Sequence, residues 1–238
     1  LSSSYTTPTA TYTVNQLALT GTLSAGSSVY GATLAPGTVS LSNVVSGDQV
    51  QTGSVTVNTT GNLSSGGKLK AGSYAGIQSV GSTLTGADAG NYTFGGLTGN
   101  YTVSQLALTG TAIASASSTY GSAVSPGAVS FTNVVSGDEV TASASLVGTS
   151  LSTGGQIKAG SYQQRVSAIG GADAGNYSLS SSYTTPTATY TVNQLALTGT
   201  AIAAASSTYG SAVSPGAGNF TRSEEHTSEL QSHLNLVC

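Results

Sequence analysis

Apolar residues alternate with serine and threonine along most of this chain. In AVSFTNVV (Ala128–Val135), Val129, Phe131 and Val135 fall on one face; in EVTASASLVG, Val140, Ala142, Ala144 and Leu146 lie opposite Thr141, Ser143 and Ser145. A period of two is the mark of half-buried strands. Turn formers separate the runs, at Ser125–Gly127, Ser136–Asp138, Thr153–Gly155 and Gly171–Asn176, where Gly, Pro, Asn and Asp each favour a bend for its own steric or hydrogen-bonding reason. Thr, Val and Tyr suit pleated surfaces, and abundant Gly and Ser disfavour long helices. The pattern predicts an all-β fold, an antiparallel Ig-like sandwich of about seven short strands per unit with turns at roughly 8–12 residue spacing. The alternative is a β-grasp-like module with one short helix, and the place for such a helical turn is Asp138, as its N-cap.

The pattern repeats. YTVNQLALTG at Tyr12–Gly21 recurs as YTVSQLALTG at Tyr101–Gly110 and as YTVNQLALTG at Tyr190–Gly199, 89 residues apart both times. Other landmarks return in the same order: Tyr30-Gly31, Tyr120-Gly121 and Tyr209-Gly210; Pro36, Pro126 and Pro215; NVVSGD at Asn43–Asp48 and Asn133–Asp138; KAGSY at Lys70–Tyr74 and Lys158–Tyr162; GADAGNY at Gly86–Tyr92 and Gly171–Tyr177. Residues 1–14 read as the end of a preceding repeat, 15–103 and 104–192 as two whole modules, and 193–221 as a truncated third. Tyr101 and Val103 share one face, but Leu106 and Leu108 fall on the other, so the alternation slips by one residue at Ser104-Gln105. A one-residue slip exchanges faces, so one extended segment here leaves one core and enters the next, with almost no linker. A module of this size buries little more than ~60% of its unfolded surface, so support from neighbours along an elongated rod is expected.

Composition narrows the function. The 238 residues include 40 Ser, 35 Thr and 32 Gly, but only 5 Lys+Arg and 8 Asp+Glu, for a net charge of −3. That gives no clustered cations for a phosphate backbone, so nucleic acid is excluded as a partner. A hydrophobic share of 38% argues for a folded chain rather than a disordered linker. No apolar run reaches the roughly 18 residues of a membrane-spanning helix, and LSSSYTTPTA is no signal peptide. The chain does not begin with Met and reads as part of something longer. Both histidines (His226, His233), Cys238 and Glu224, Glu225 and Glu229 lie in the last seventeen residues, RSEEHTSELQSHLNLVC. Because RSEEHTSELQSH looks like a translated sequencing adaptor, residues 222–238 are read as an artefact, disordered or helical, and set aside.

In their order, Tyr-Gly-x, x-Pro-Gly, S-G-D-x-V, A-G-S-Y, G-A-D-A-G-N-Y and a closing Y-T-V resemble the MBG (YGX-type) and YDG repeat domains of very large bacterial surface proteins. The nearest are filamentous-haemagglutinin-type adhesins exported by two-partner secretion. The resemblance covers residues 1–221. YDG domains carry Tyr-Asp-Gly where this chain has Tyr30-Gly31-Ala32 and Tyr120-Gly121-Ser122, so the YGX type is nearer. The resemblance implies a secreted module on the outer face of a Gram-negative outer membrane: a stalk extending an adhesive domain, with neighbouring repeats of the same chain as its partners. The alternative is that the repeats bind host glycan or protein directly. No catalytic residue and no cofactor come with it.

Candidate chemistry is sparse. Asp48, Asp88, Asp138 and Asp173 are calcium candidates by residue type, but one carboxylate per loop is thin for an ion that takes six to eight oxygens, and an Asx-turn or capping role is favoured. Tyr30, Tyr120 and Tyr209, with Tyr92 and Tyr177, could stack on sugars; a tyrosine at a fixed place in each repeat reads first as a corner or core residue with a bonded hydroxyl. The glycines of Tyr-Gly and GADAGN are read as positive-φ positions rather than a phosphate cradle. Without His or Cys before the tail, no Ser–His or Cys–His pair can form, so no enzymatic activity is expected. Six Asn-x-Ser/Thr sequons (Asn58, Asn62, Asn91, Asn100, Asn176, Asn219) also occur, as a Thr/Ser content this high generates by chance.

Overall fold

The structure, a computed structural model, describes residues 10–179 and 182–222. The first nine residues of the preceding-repeat segment lie outside it, as does the adaptor-like tail, apart from Arg222, which closes the last strand. The described chain is all-β, and its helical elements are two 3-10 turns, Ala89–Asn91 and Ala174–Asn176. The first repeat contributes β1 (Leu17–Leu19), β2 (Gly21–Leu23), β3 (Gly26–Val29), β4 (Val39–Leu41), β5 (Gln51–Thr52), β6 (Thr56–Val57), β7 (Gly72–Val80), β8 (Leu84–Thr85), β9 (Tyr92–Phe94) and β10 (Leu97–Ser104). The second contributes β11 (Leu106–Ala107), β12 (Ala112–Ile113), β13 (Ala116–Thr119), β14 (Val129–Ser130), β15 (Thr141–Val147), β16 (Gly160–Gly170), β17 (Tyr177–Ser178) and β18 (Tyr190–Asn193). A hairpin of β19 (Leu197–Ile202) and β20 (Gly218–Arg222) follows.

Each repeat builds one four-stranded sheet, β3-β10-β7-β6 in the first and β13-β18-β16-β15 in the second. These sheets are mixed, which corrects the expectation of purely antiparallel pairing: β10 runs antiparallel to β7 but parallel to β3, with Tyr101 opposite Gly26. β1 likewise lies parallel to β9, and β11 to β17. Alternation tells which face a residue occupies but not which way its strand runs, and the long excursions between these partners leave room for the crossovers that parallel pairs require. The helical turn falls after Asp88 and Asp173, not after Asp138. Gly137, at φ 90°, bends the chain immediately before Asp138, whose carboxylate turns to tyrosine hydroxyls instead of capping a helix.

Two compact units result, and they divide the chain differently from the repeats. The first runs to Thr109 and takes in Thr132–Thr141 and a segment from Ile169 through β17; the second holds Gly110–Phe131, Ala142–Ala168 and the later strands. The slip at Ser104-Gln105 is therefore interior to the first unit, where β10 passes to β11 across Gln105 alone. The first unit's core gathers Leu19, Val80, Tyr92 and Phe94 with Val39, Leu41, Val50 and Leu84 around them. The second is built on Tyr162, Tyr190 and Val192, with Tyr120, Leu146 and Ile157 alongside.

Recurring side chains set the turns. The hydroxyls of the fully buried Tyr101 and Tyr190 accept from Ala35 N–H (2.9 Å) and Ser125 N–H (3.2 Å), fixing the segment around each Pro-Gly. Gln78 and Gln164, each 0% exposed, accept from Gly37 N–H (2.6 Å) and Gly127 N–H (2.7 Å) and donate back to main-chain carbonyls, Asn100 O and Ala114 O. Gly37 and Gly127 must be glycine because a Cβ there would sit 1.8 Å from the Ser24 and Ala114 carbonyl oxygens. The glycines after Tyr30, Tyr120 and Tyr209 have φ of 82°, 87° and 83°, in the left-handed region that favours glycine.

Candidate functional site

The densest polar cluster lies inside the first compact unit, where residues of the two repeats meet. It is built on SGD and GADAGNY of the second repeat. The Tyr177 hydroxyl donates to Asp138 Oδ2 at 2.5 Å and accepts from Val135 N–H at 2.9 Å. The Tyr30 hydroxyl, from the first repeat, lies 2.5 Å from the same Oδ2 and 2.6 Å from Ser64 Oγ. With one proton to give, Tyr30 donates to the carboxylate and accepts from the serine. Asp138 Oδ1 accepts from Gly66 N–H at 2.8 Å. The Tyr30 and Tyr177 rings meet edge to face, centroids 5.3 Å apart at 75°, a favourable arrangement of their quadrupoles.

Asp173 and Asn176 extend the contact. Asp173, 3% exposed, accepts on Oδ2 from Glu139 N–H (3.0 Å) and on Oδ1 from Ser65 N–H (3.2 Å). Asn176, 4% exposed, accepts on Oδ1 from Ala71 N–H (2.9 Å). Three side chains of the second repeat thus hold three main-chain donors of the first-repeat loop Leu63–Ala71. That loop sits where it does because it is cross-braced: Ser64 N–H donates to Lys68 O, Lys70 N–H to Asn62 O, and the Tyr74 hydroxyl to Lys70 O.

Burial, reinforced by donation to Asp138, pushes the Tyr30 hydroxyl from 10.0 up to about 12. The same two causes raise Tyr177 as well. Asp173 is held below the ordinary carboxylate value, first by the Glu139 N–H, then by Ser65 and the charge of Lys70, against the opposing pull of burial. Both hydroxyls are therefore neutral at physiological pH, able to donate to an acceptor that has no proton to return.

The first repeat carries the same residues with half of these contacts. The Tyr92 hydroxyl donates to Asp48 Oδ2 at 2.5 Å and accepts from Val45 N–H, and Asp88 Oδ2 accepts from Gln49 N–H at 2.9 Å. Donation to Asp48 leads the causes that raise Tyr92. Asn91 is exposed. The four aspartates considered for calcium are therefore hydrogen-bond acceptors in turns, and Asp138 and Asp173 have protein donors on both oxygens. Among the described residues no group of three or more His, Cys, Asp or Glu is placed to hold a metal ion.

The tyrosines considered as sugar platforms separate. Tyr30 is 1% exposed and has no free ring face; Tyr120 is half-buried beside Tyr162 and Tyr190; Tyr209 is fully exposed. Sequence reasoning missed the Leu63–Ala71 loop as a partner of the acids, because its donors are main-chain N–H groups with no side-chain signature. It also missed the buried Gln78 and Gln164. No family model, no curated protein and no solved structure matches the chain. Fold and site together define an all-β chain in which a carboxylate of one sequence repeat is shared between its own tyrosine and that of the repeat before it.

Proposed function

We propose that the chain is a structural segment of a large secreted bacterial surface adhesin of the filamentous-haemagglutinin type. In this reading its 89-residue β-modules form a stiff stalk that carries an adhesive domain away from the outer membrane. The observation that carries this reading is Asp138, held by Tyr177 of its own repeat and by Tyr30 and Gly66 of the preceding one. A joint of buried, directional bonds resists bending as a flexible linker does not. The order of landmarks supports the adhesin assignment, and with no catalytic constellation among the described residues the role is structural rather than enzymatic. Small-angle scattering of the whole chain tests it. A single extended form is expected for the unaltered protein and a broadened ensemble for Asp138→Ala; a freely jointed profile for the unaltered protein overturns the reading.

A second reading, direct binding of host glycan or protein, is favoured by one observation. Each repeat has a cleft at corresponding positions: about 360 Å³ beside Val29, Leu34, Leu63 and Leu69 in the first, about 210 Å³ beside Thr119, Val124 and Ile157 in the second. A glycan array probed with the whole chain decides between the two, and an absence of hits leaves the stalk.

A further inference from the structure

We infer that the chain associates head to tail with a second copy of itself, the Asp48–Asp88–Asn91 face of one copy seating the loop around Thr153–Ala159 of the other. The inference rests on reading the Asp138 cluster as a joint between repeats. That joint has two halves: a face of acceptors (Asp138, Asp173, Asn176) and a loop of main-chain donors (Ser65, Gly66, Ala71) with Tyr30. The chain carries each half once more, unjoined among the described residues.

The spare face is set as the occupied one is. Tyr92 reaches Asp48 at the 2.5 Å of Tyr177 to Asp138; Gln49 N–H reaches Asp88 at 2.9 Å against 3.0 Å for Glu139 to Asp173. Gln16 Nε2 holds Gly90 O at 2.8 Å as Gln105 holds Gly175 O at 2.9 Å. What the first repeat lacks is the second set of donors, and Asn91 is exposed where Asn176 is buried.

The spare loop is preset too. Ser152 N–H to Gln156 O (2.8 Å), Lys158 N–H to Ser150 O (3.0 Å) and the Tyr162 hydroxyl to Lys158 O (2.7 Å) repeat the bracing of the occupied loop. Gly154 and Ala159 are exposed where Gly66 and Ala71 are half-buried, and Tyr120 has lost the cover that Tyr30 enjoys. Both halves are organised before they meet, which removes much of the ordering cost of association. A face made of acceptors cannot pair with another such face. The contact is therefore heterologous, and repeated it makes an open row of copies rather than a closed dimer.

Gly154 offers a clean test. A Cβ there meets nothing closer than Ser152 Oγ at 4.0 Å, whereas a Cβ on its counterpart Gly66 would lie 2.6 Å from Asp138 Oδ1. Gly154→Leu should thus fold normally and still be unable to enter the face. Sedimentation velocity of the whole chain, up to about 1 mM so that even a Kd near the top of the micromolar range is populated, should show mass rising with concentration beyond the dimer. Gly154→Leu, and separately Asp48→Ala/Asp88→Ala, should each weaken association by about tenfold or more, the loss of about 1.4 kcal/mol. Mixing those two variants should restore a dimer and nothing larger, because one intact face meets one intact loop. A monomer at every concentration, variants that associate as well as the parent, or a mixture that stays monomeric overturns the inference. If that happens while Gly66→Leu still destabilises the chain, the joint within the chain stands and only association between copies falls. If Gly66→Leu is neutral, the joint reading falls with it.

Discussion

The SGD and GADAGNY segments occur twice with the same letters and in two different situations. In both repeats Asp Oδ2 serves its own repeat: Asp48 takes Tyr92 and Asp88 takes Gln49 N–H, as Asp138 takes Tyr177 and Asp173 takes Glu139 N–H. Only in the second repeat are the remaining positions filled, Asp138 Oδ1 by Gly66, Asp173 Oδ1 by Ser65 and Asn176 by Ala71. The difference shows that each carboxylate has a local task, shaping its turn, and a neighbour task, holding the preceding loop. The local task does not need the neighbour. The face is therefore built by its own repeat and then used by the next, which is what a serial array requires of every internal module.

The largest way to break this comparison is Asp138→Ala set against Asp48→Ala. The first leaves two buried tyrosine hydroxyls and the Gly66 N–H without an acceptor. At about 1–3 kcal/mol for each buried donor left unmet, with partial relaxation, the loss should be about 3–5 kcal/mol. The second frees one hydroxyl at a more open position and should cost about 1 kcal/mol. Urea unfolding of the two variants, followed by tyrosine fluorescence, measures both. Equal losses would mean that the neighbour contacts contribute nothing.

Part of this was legible in the chain. Alternation gave the all-β class, and the landmark order gave the repeats, because both depend on side-chain type along the sequence. The acids were readable as turn residues, since Asp in S-G-D and G-A-D-A-G-N acts on nearby main chain. Their neighbour task was not, because Ser65, Gly66 and Ala71 contribute only N–H groups and lie in the preceding repeat. Parallel pairing of β3 with β10 was hidden because alternation is blind to direction. Gln78 and Gln164 escaped the comparison of repeats for another reason: Gln78 follows Tyr74 by four residues and Gln164 follows Tyr162 by two. The equivalent glutamines thus stand at different spacings from the same landmark, although each anchors the same Pro-Gly turn.

A smaller effect sharpens the comparison through pH. The folded Asp173 carboxyl gives up its proton more readily than the unfolded one, at 3.8. Its contribution is therefore complete above that value and is lost as the pH falls through the lower folded value. Asp173→Asn should be less stable than the parent at neutral pH, by about 1–2 kcal/mol, because the amide accepts on one oxygen only. The gap should close in acid. Chemical unfolding at pH 7 and at pH 2.5 tests this; a gap of the same size at both would show that the lost contacts, not the charge, carry the effect.

The smallest effect is expected from the tyrosine hydroxyls, and it separates the occupied loop from the spare one. Tyr30→Phe removes the proton given to Asp138 and leaves Ser64 Oγ without that partner, which should cost about 1–2 kcal/mol. Tyr120→Phe removes a hydroxyl that has no partner among the described residues, so it should stay within about 0.5 kcal/mol of the parent. The two also differ in alkali. Because folding raises Tyr30 from 10.0 to about 12, the neutral hydroxyl stabilises the fold below pH 10, and that stability is lost as the pH rises toward the folded value. Tyr30→Phe should flatten part of the alkaline unfolding transition recorded by circular dichroism, and Tyr120→Phe should leave it in place. If both variants shift it alike, the asymmetry between the two loops does not reach their tyrosines and is confined to the main-chain donors.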